Sequence, residues 1–223
     1  MRIVFCAYRD WALNAVNKIV DVNNAHEIKV IESNEEFIKS SESLVSNYDM
    51  FVFIGWSWII PSSITENILC LGMHPSDLPF YRGGSPLQHQ IINGVIDTKI
   101  SLITLSEKLD AGDIWMKEPV NFVGNNMNQI LSRLEDSTVK LFKNFLRIYP
   151  NISPKEQTLS QGSYYTRRTP SDSKLKNEDF REKSVKELYD FMRCLTDPYP
   201  NAFIEDNEGN RLYFESVRFE RKD

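Results

Sequence analysis

The first two thirds of the chain alternate two hydrophobic patterns, one typical of buried strands and one typical of amphipathic helices. Residues 2–7 form a short apolar run, and apolar positions between Trp11 and Val20 recur at helical spacing, which predicts a strand that leads into a helix. Residues 50–54 are apolar without interruption, which is typical of a central strand covered on both faces. The other predicted elements of this region are strands at 27–31, 68–71, 99–105 and 113–120 and helices at 35–46, 87–93 and 127–145.

Alternating strands and helices of this kind predict a doubly wound α/β domain with a mainly parallel sheet over residues 1–150. Two prolines and several polar residues at 149–154 indicate a linker. Beyond it, the pattern predicts a small α+β C-terminal subdomain over 151–223. Its expected elements are a helix at 184–195 and a strand pair at 202–205 and 211–217.

The composition supports a folded core and limits the classes of partner. The hydrophobic fraction is 41%, which is enough for a packed interior. Lys and Arg number 26 and Asp and Glu number 31, so the net charge is −5. This mild acidity argues against a protein whose affinity depends on nucleic-acid phosphates.

Cysteine placement and the start of the chain bear on the compartment. Cys6, Cys70 and Cys194 lie far apart in apolar surroundings, which favours buried thiols over a disulfide framework or a metal site. No apolar run is long enough to span a bilayer, and no secretion signal precedes the first strand. We therefore expect a cytoplasmic protein with no membrane partner.

The candidate chemistry lies around His74 and Asp110. His74 follows a buried strand, at the edge where open α/β sheets place ligands, and imidazole is suited to general acid or base work. Asp110 lies in a turn between two strands, and a carboxylate can orient an imidazole and stabilise its protonated form. A core histidine and an ordinary turn aspartate are the alternative interpretations.

Four segments together resemble the formyltransferases that use 10-formyltetrahydrofolate. They are HPSxLPxYRGxxP at 74–86, IING at 91–94, Thr98, and LDAGDI at 109–114. The resemblance covers most of the first 150 residues and implies a Rossmann-like fold, a folate co-substrate and no metal. It places His74 and Asp110 beside the point where an acceptor amine attacks the formyl group.

One position departs from the family pattern. The family usually has an asparagine two residues before the histidine, where its amide stabilises the oxyanion, and this chain has Gly72. Loss of such a donor typically costs on the order of a hundredfold or more in rate. Gln88 or a backbone N–H is our candidate replacement. A weak enzyme and a fold kept only for binding folate or a nucleotide sugar are the alternatives.

The resemblance also implies ligand contacts. It places the loop 55–61 against the folate, although core packing is an alternative for its two tryptophans. The loop 7–11 lies at the first strand–helix junction, where a phosphate could meet a helix N-terminus, and it lacks the glycine-rich dinucleotide fingerprint. The expected folate contacts are Trp56, Ser57, Ile59, Leu78 and Asp110, and the expected acceptor contacts are Tyr8, Arg9, Trp11, Ser76, Tyr81, Arg82, Gly83 and His89.

The C-terminal part suggests which amine accepts the formyl group. Residues 165–172 and 195–203 resemble the region that follows the catalytic domain in nucleotide-sugar N-formyltransferases, and glycinamide ribonucleotide formyltransferases lack it. Methionyl-tRNA formyltransferases add a β-barrel domain of roughly one hundred residues, for which this chain is expected to be too short. We therefore expect a UDP- or dTDP-linked amino-dideoxy sugar as acceptor, serving lipopolysaccharide O-antigen synthesis, and a homodimer. Another small amine is the alternative acceptor.

Overall fold

The computed structural model describes residues 1–21 and 26–222. Short 3-10 turns at Leu159–Gln161 and Pro170–Ser173 supplement the regular elements. In chain order these elements are β1 (Arg2–Cys6), α1 (Asp10–Val20), β2 (Glu27–Ile31), α2 (Asn34–Val45), β3 (Met50–Ile54), α3 (Ser62–Thr65), β4 (Leu69–His74), β5 (Arg82–Gly83), α4 (Pro86–Ile92), β6 (Asp97–Thr104), β7 (Ile114–Asn121), α5 (Met127–Ile148), β8 (Tyr164–Tyr165), α6 (Asp179–Glu182), α7 (Val185–Arg193), β9 (Ala202–Glu205) and β10 (Arg211–Phe214).

A six-stranded sheet in the order β2-β1-β3-β4-β6-β7 organises the molecule. The four strands β2, β1, β3 and β4 are parallel, whereas β6 runs antiparallel to β4 and β7 antiparallel to β6. Every residue of β3 is buried, as expected for a strand covered on both faces. The mainly parallel, Rossmann-like sheet is therefore confirmed.

Helices cover both faces of this sheet because successive strand residues point to opposite sides. On one face, Phe5 and its neighbours pack against α1 and α5, and Phe5 lies edge-on to Phe142 with ring centroids 5.8 Å apart. On the other face, Phe51 and Phe53 pack against Phe37 of α2. The three cysteines are free and buried, as predicted.

Two strand boundaries differ from the sequence prediction. The predicted strand 68–71 continues to His74, because β4 keeps pairing with β6 up to the His74–Ser101 register. His74 is therefore the last residue of the strand rather than the first residue after it. The predicted strand 211–217 stops at Phe214, because Phe214 pairs with Ala202, the first residue of β9.

The C-terminal region packs against the face of the sheet that α1 and α5 cover. Leu175, Met192, Leu195 and Ala202 belong to the same buried cluster as the α1 and α5 side chains. The β9–β10 hairpin and α7 match the small α+β unit expected from the sequence. The division at residue 150 stays a prediction.

A buried arginine of α7 joins this helix to the segment that precedes α5. Arg193 and Asp190 are each 2% exposed, and Arg193 Nε donates to Asp190 Oδ1 over 2.7 Å. Arg193 Nη1 donates to the carbonyls of Phe122 and Gly124 over 2.6 and 3.1 Å. One guanidinium thus satisfies a buried carboxylate and two carbonyls at once.

We expect Arg193→Ala to lower the free energy of unfolding by about 3 kcal/mol or more, because removal of one partner from a buried pair leaves the others poorly compensated. Only the half-exposed Lys186 would remain on Asp190. Urea unfolding measures the change. Arg218→Ala, which breaks an exposed pair with Glu220, serves as control and should leave stability essentially unchanged. Equal stability of the two variants would contradict the account.

Candidate active site

The structure brings together His74 and Asp110, as the sequence predicts. The loop that carries Asp110 starts beside β4, where the Leu105 N–H donates to the Cys70 carbonyl over 2.8 Å, and it returns to the end of that strand. His74 Nδ1 lies 3.4 Å from Asp110 Oδ1, and the two side chains are 8% and 14% exposed. The pair therefore lies at the carboxyl end of β4, and both side chains are largely buried.

Both ring nitrogens of His74 face oxygen atoms. Nδ1 faces the Asp110 carboxylate, and Nε2 lies 2.8 Å from the backbone carbonyl of Tyr81. A carbonyl only accepts, so a proton on Nε2 is donated to Tyr81. These two contacts fix the orientation of the imidazole, and its Nδ1 can exchange a proton with Asp110.

The Asp110 carboxylate is held from two sides. Oδ1 faces His74, and Oδ2 accepts a hydrogen bond from the Gly83 N–H over 2.9 Å. Burial by itself raises the pKa of Asp110, but His74, the Gly83 N–H and the charge of Arg82 together hold that pKa below its ordinary value. Asp110 is therefore a carboxylate at neutral pH.

Backbone strain is concentrated at this site. In the described part of the chain, the non-glycine residues with positive φ are Tyr81 (57°), Ser85 (52°) and Asp110 (51°). Such conformations are uncommon for residues with a Cβ and persist only where surrounding contacts enforce them. All three belong to the loops around His74, which supports a functional role for this region.

A C-terminal segment, residues 163–168, holds the loop that follows His74. Strand β8 pairs with β5 in parallel. The Arg82 N–H donates to the Ser163 carbonyl over 3.0 Å and the Gly84 N–H to the Tyr165 carbonyl over 2.9 Å. Ser163 Oγ also accepts from the Tyr81 N–H over 2.9 Å. The residue that orients His74 is thus itself fixed by the C-terminal segment.

Aromatic contacts strengthen this docking. Tyr81 and Tyr165 stack with centroids 5.1 Å apart and planes 8° from parallel, and the His89 ring lies 4.5 Å from Tyr165. His89 Nε2 lies 3.0 Å from the Thr166 carbonyl, and burial lowers the pKa of His89. Tyr81 and His89 were expected to contact the acceptor. In the structure their rings contact residues 165 and 166 instead, so their substrate roles stay predictions.

Comparisons with known proteins show the family of this chain. The family model described as formyl transferase matches residues 4–146. This chain belongs to the formyl transferase family. Methionyl-tRNA formyltransferase from Rickettsia typhi (strain ATCC VR-144 / Wilmington) is 32% identical over 163 residues, which are 72% of this chain and 52% of that protein. The chain therefore spans about half the length of that relative.

Two solved structures extend the comparison. Methionyl-tRNA formyltransferase from Clostridium thermocellum has a TM-score of 0.86 and 29% identity, covering 99% of this chain and 94% of that chain. A sugar N-formyltransferase from Shewanella sp FDAARGOS_354 has a TM-score of 0.78 and 19% identity, covering 99% of each chain. The second likeness shows a shared fold.

The space beside Gly72 is filled by Leu105. A Cβ added at Gly72 would lie 2.5 Å from Leu105 Cδ2. An asparagine, the residue that the family resemblance leads us to expect here, would therefore require Leu105 to move. Leu105 occupies the space beside Gly72 of β4, so a side chain that donates to the oxyanion must come from another position.

Gln88, our candidate replacement donor, points its amide towards the Tyr199 hydroxyl and acts to lower the pKa of that group. It lies on α4, is 4% exposed, and its Nε2 makes no hydrogen bond of normal length and angle. Buried side-chain donors are nearly always satisfied, so an unpaired one is an indication of a ligand or a catalytic role. The donor role of Gln88 stays a prediction.

The loop 55–61 borders an apolar groove of about 530 Å³. Ser57, Trp58 and Ile59 line one side of this groove and Phe37 and Ile38 of α2 line the other. The residues that line the groove do not include His74 or Asp110.

The two tryptophans of that loop differ in burial. Trp56 packs among Phe37 and Phe53, with centroids 5.6 and 5.9 Å away, so core packing applies to it. Trp58 is 40% exposed.

Leu78 and Ser76 have no exposed surface for a ligand. Both are 0% exposed. Ser76 Oγ donates to the Phe80 carbonyl over 2.7 Å, and the Leu78 N–H donates to Ser101 Oγ over 3.3 Å. In this structure they brace the loop after His74, and ligand contacts by their side chains stay predictions.

The first strand–helix junction converges on Ser57. Tyr8 Oη lies 2.8 Å from Ser57 Oγ, and Arg9 Nη2 donates to the same oxygen over 3.3 Å. Trp11 is 8% exposed, and its Nε1 lacks a partner. Arg82 Nε is likewise buried without a partner. Two of the expected acceptor residues thus carry an unsatisfied donor.

Neither a metal centre nor a spanning helix is found in residues 1–21 and 26–222. Within these ranges no group of three or more His, Cys, Asp and Glu side chains could hold a metal ion. No helix in the same ranges combines the length and apolar character needed to cross a membrane.

Sequence reasoning missed the residues that reach the site from a distance in the chain. Ser163 and Leu105 were not singled out, and Tyr165 and Arg167 were noted only as members of the segment 165–172. In the structure Arg167 Nη2 donates to Ser57 Oγ over 3.2 Å. The paired arginines at 167 and 168 were the one available signal.

We expect the stabilisation that Asp110 contributes to depend on pH. Because its folded pKa is lowered, the contribution is present above the unfolded value and is lost as the pH falls through the folded value. The stability difference between the natural protein and Asp110→Asn should therefore be constant above about pH 5 and shrink progressively as the pH falls below it. Urea unfolding on both sides of this pH measures it, and a difference that stays constant throughout would contradict the assignment.

We expect Gly72→Asn to destabilise the protein by about 1–3 kcal/mol, because the new side chain overpacks against Leu105. Leu105→Ala in the same chain should recover part of this loss. A double-mutant cycle by urea unfolding measures the coupling. Additive effects of the two substitutions would show that the two positions do not compete for space.

Proposed function

We propose that this formyl transferase moves a formyl group from 10-formyltetrahydrofolate to the amino group of a UDP- or dTDP-linked amino-dideoxy sugar. The observation that carries the proposal is the His74–Asp110 pair, 3.4 Å apart beneath the loop with the family motif. The product would be a formamido sugar for surface polysaccharide.

The residues of the site divide the work of the reaction. When bound, the donor supplies the formyl group, and the acceptor amine forms a new C–N bond as the C–N bond to the folate breaks. The amine loses one proton, which the His74–Asp110 pair takes up, and the released folate nitrogen regains one. Holding both substrates in one site supplies much of the rate.

The loop 55–61 offers an apolar surface that suits the folate co-substrate. Ligand pockets for aromatic molecules are mainly apolar with a few polar groups, and the groove beside this loop combines Trp58 and Ile59 with the Ser57 hydroxyl. These residues would hold the folate. Gln88 would donate an Nε2 hydrogen to the oxygen that becomes negative, in place of the amide absent at Gly72.

Three observations support a nucleotide sugar as acceptor. The net charge of −5 is poor for holding a nucleic acid. Residues 165–172 and 195–203 carry the sequence resemblance to nucleotide-sugar enzymes. The fold of the Shewanella sugar N-formyltransferase matches along nearly the whole of both chains.

The second candidate acceptor is methionyl-tRNA. The Rickettsia and Clostridium relatives, at 32% and 29% identity, are methionyl-tRNA formyltransferases. A panel of acceptors that contains charged tRNA beside UDP- and dTDP-amino sugars separates the two reactions.

We expect His74→Asn and Asp110→Asn to lower tetrahydrofolate release by at least about a hundredfold, which is the usual contribution of a general acid–base group. The assay combines 10-formyltetrahydrofolate with each acceptor of the panel. His26→Asn, at a histidine whose ring contacts the Met1 amino group, is the matched control and should retain full turnover. Full turnover in either site variant would refute the assignment. Folate binding without turnover on any acceptor would favour a binding protein.

A further inference from the structure

Two arginines from distant parts of the chain meet at one hydroxyl group. Arg9 Nη2 and Arg167 Nη2 donate to Ser57 Oγ over 3.3 and 3.2 Å, and Tyr8 Oη lies 2.8 Å from the same oxygen. A serine oxygen offers two acceptor positions, so one small neutral group serves two guanidinium groups. Two positive charges are therefore held within a few ångström of each other.

In the described part of the chain, neither arginine forms an ion pair with a carboxylate. Arg9 also lies over the rings of Tyr8 and Tyr199, whose centroids are 4.9 and 5.7 Å from its Cζ. Across the residues that the structure describes, no carboxylate oxygen lies within 4 Å of the guanidinium nitrogens of Arg9 or Arg167, and the neighbouring Asp10 is exposed. Like charges at this separation repel, and an anion between them would convert the repulsion into attraction.

The N-terminus of α1 lies at the same position as Arg9. Arg9 is the N-cap of α1, an eleven-residue helix, and its side chain makes no cap hydrogen bond. The N-terminus of such a helix attracts anions.

Tyr199 links Arg9 to a second unsatisfied group. Burial raises the pKa of its hydroxyl, and the polar groups that act on it are Arg9, Tyr8, Gln88 and Arg167. Gln88, 4% exposed and with an unpaired Nε2, thus lies beside the arginines.

We propose that Arg9 and Arg167 form a binding site for the diphosphate of the nucleotide-linked acceptor. This inference rests on the proposed function and adds Arg167 to its binding residues. Two guanidinium groups match the two negative charges of a diphosphate diester, and guanidinium binds phosphate oxygens in a bidentate manner. Because Arg167 belongs to the segment 163–168, the diphosphate site is complete only when that segment is docked.

Calorimetric titration with UDP and with dTDP tests the site without the reaction. We expect Arg9→Gln and Arg167→Gln each to weaken nucleoside diphosphate binding by at least about tenfold, the usual effect of losing a charge-assisted hydrogen bond. Arg167→Lys, which keeps the charge but not the fork, should fall between. Arg218→Gln, at an exposed arginine paired with Glu220, is the matched control and should bind as the natural protein does. Thermal unfolding confirms that every variant is folded.

The outcomes separate this inference from the proposed function. Unchanged diphosphate binding in both arginine variants overturns the site, even if the natural protein formylates an amino sugar. Unchanged diphosphate binding with a raised KM for the folate donor also overturns it and assigns the arginines to the folate carboxylates. Absence of UDP and dTDP binding in the natural protein overturns it as well. Weakened diphosphate binding in the variants, with no sugar formylated, supports the site and refutes the reaction.

Discussion

The pairing of β5 with β8 is the constraint on which the site depends. Gly83 lies between two partners: its N–H donates to Asp110, and a Cβ at this position would lie 2.2 Å from the Tyr165 carbonyl. The neighbouring residue Tyr81 is held by Ser163 through its N–H and holds His74 through its carbonyl. A few backbone hydrogen bonds thus connect the C-terminal segment to both members of the proposed catalytic pair.

These contacts explain why strained backbone conformations persist around the site. Positive φ at Tyr81, Ser85 and Asp110 costs free energy, and contacts with distant residues must compensate for this cost. The stacked Tyr81 and Tyr165 rings and the bond from the Arg168 N–H to Ser85 Oγ, 3.1 Å long, enforce those conformations. The same segment carries Arg167. Docking of residues 163–168 therefore organises the proposed acid–base pair and the proposed diphosphate site together.

The parts of this structure that follow from local sequence were predictable, and the parts that depend on distant contacts were not. The apolar run at 50–54 predicted the central strand because burial on both faces leaves no polar alternation. The motifs around His74 and Asp110 predicted the pair because their spacing is a family pattern. By contrast, Ser163 meets Tyr81 across 82 residues, and Leu105 fills the space at Gly72, contacts that no local periodicity encodes.

A comparison of tetrahydrofolate release by Gly83→Ala and Gly94→Ala tests whether the pairing of β5 with β8 organises the site. Both glycines have positive φ, 94° and 77°, so both substitutions carry similar backbone strain. A Cβ at Gly94 meets nothing within 4 Å, whereas one at Gly83 collides with β8. The account predicts turnover close to that of the natural protein in Gly94→Ala and its loss in Gly83→Ala, with both proteins folded. Equal turnover in the two variants would contradict the claim that β5–β8 pairing organises the site.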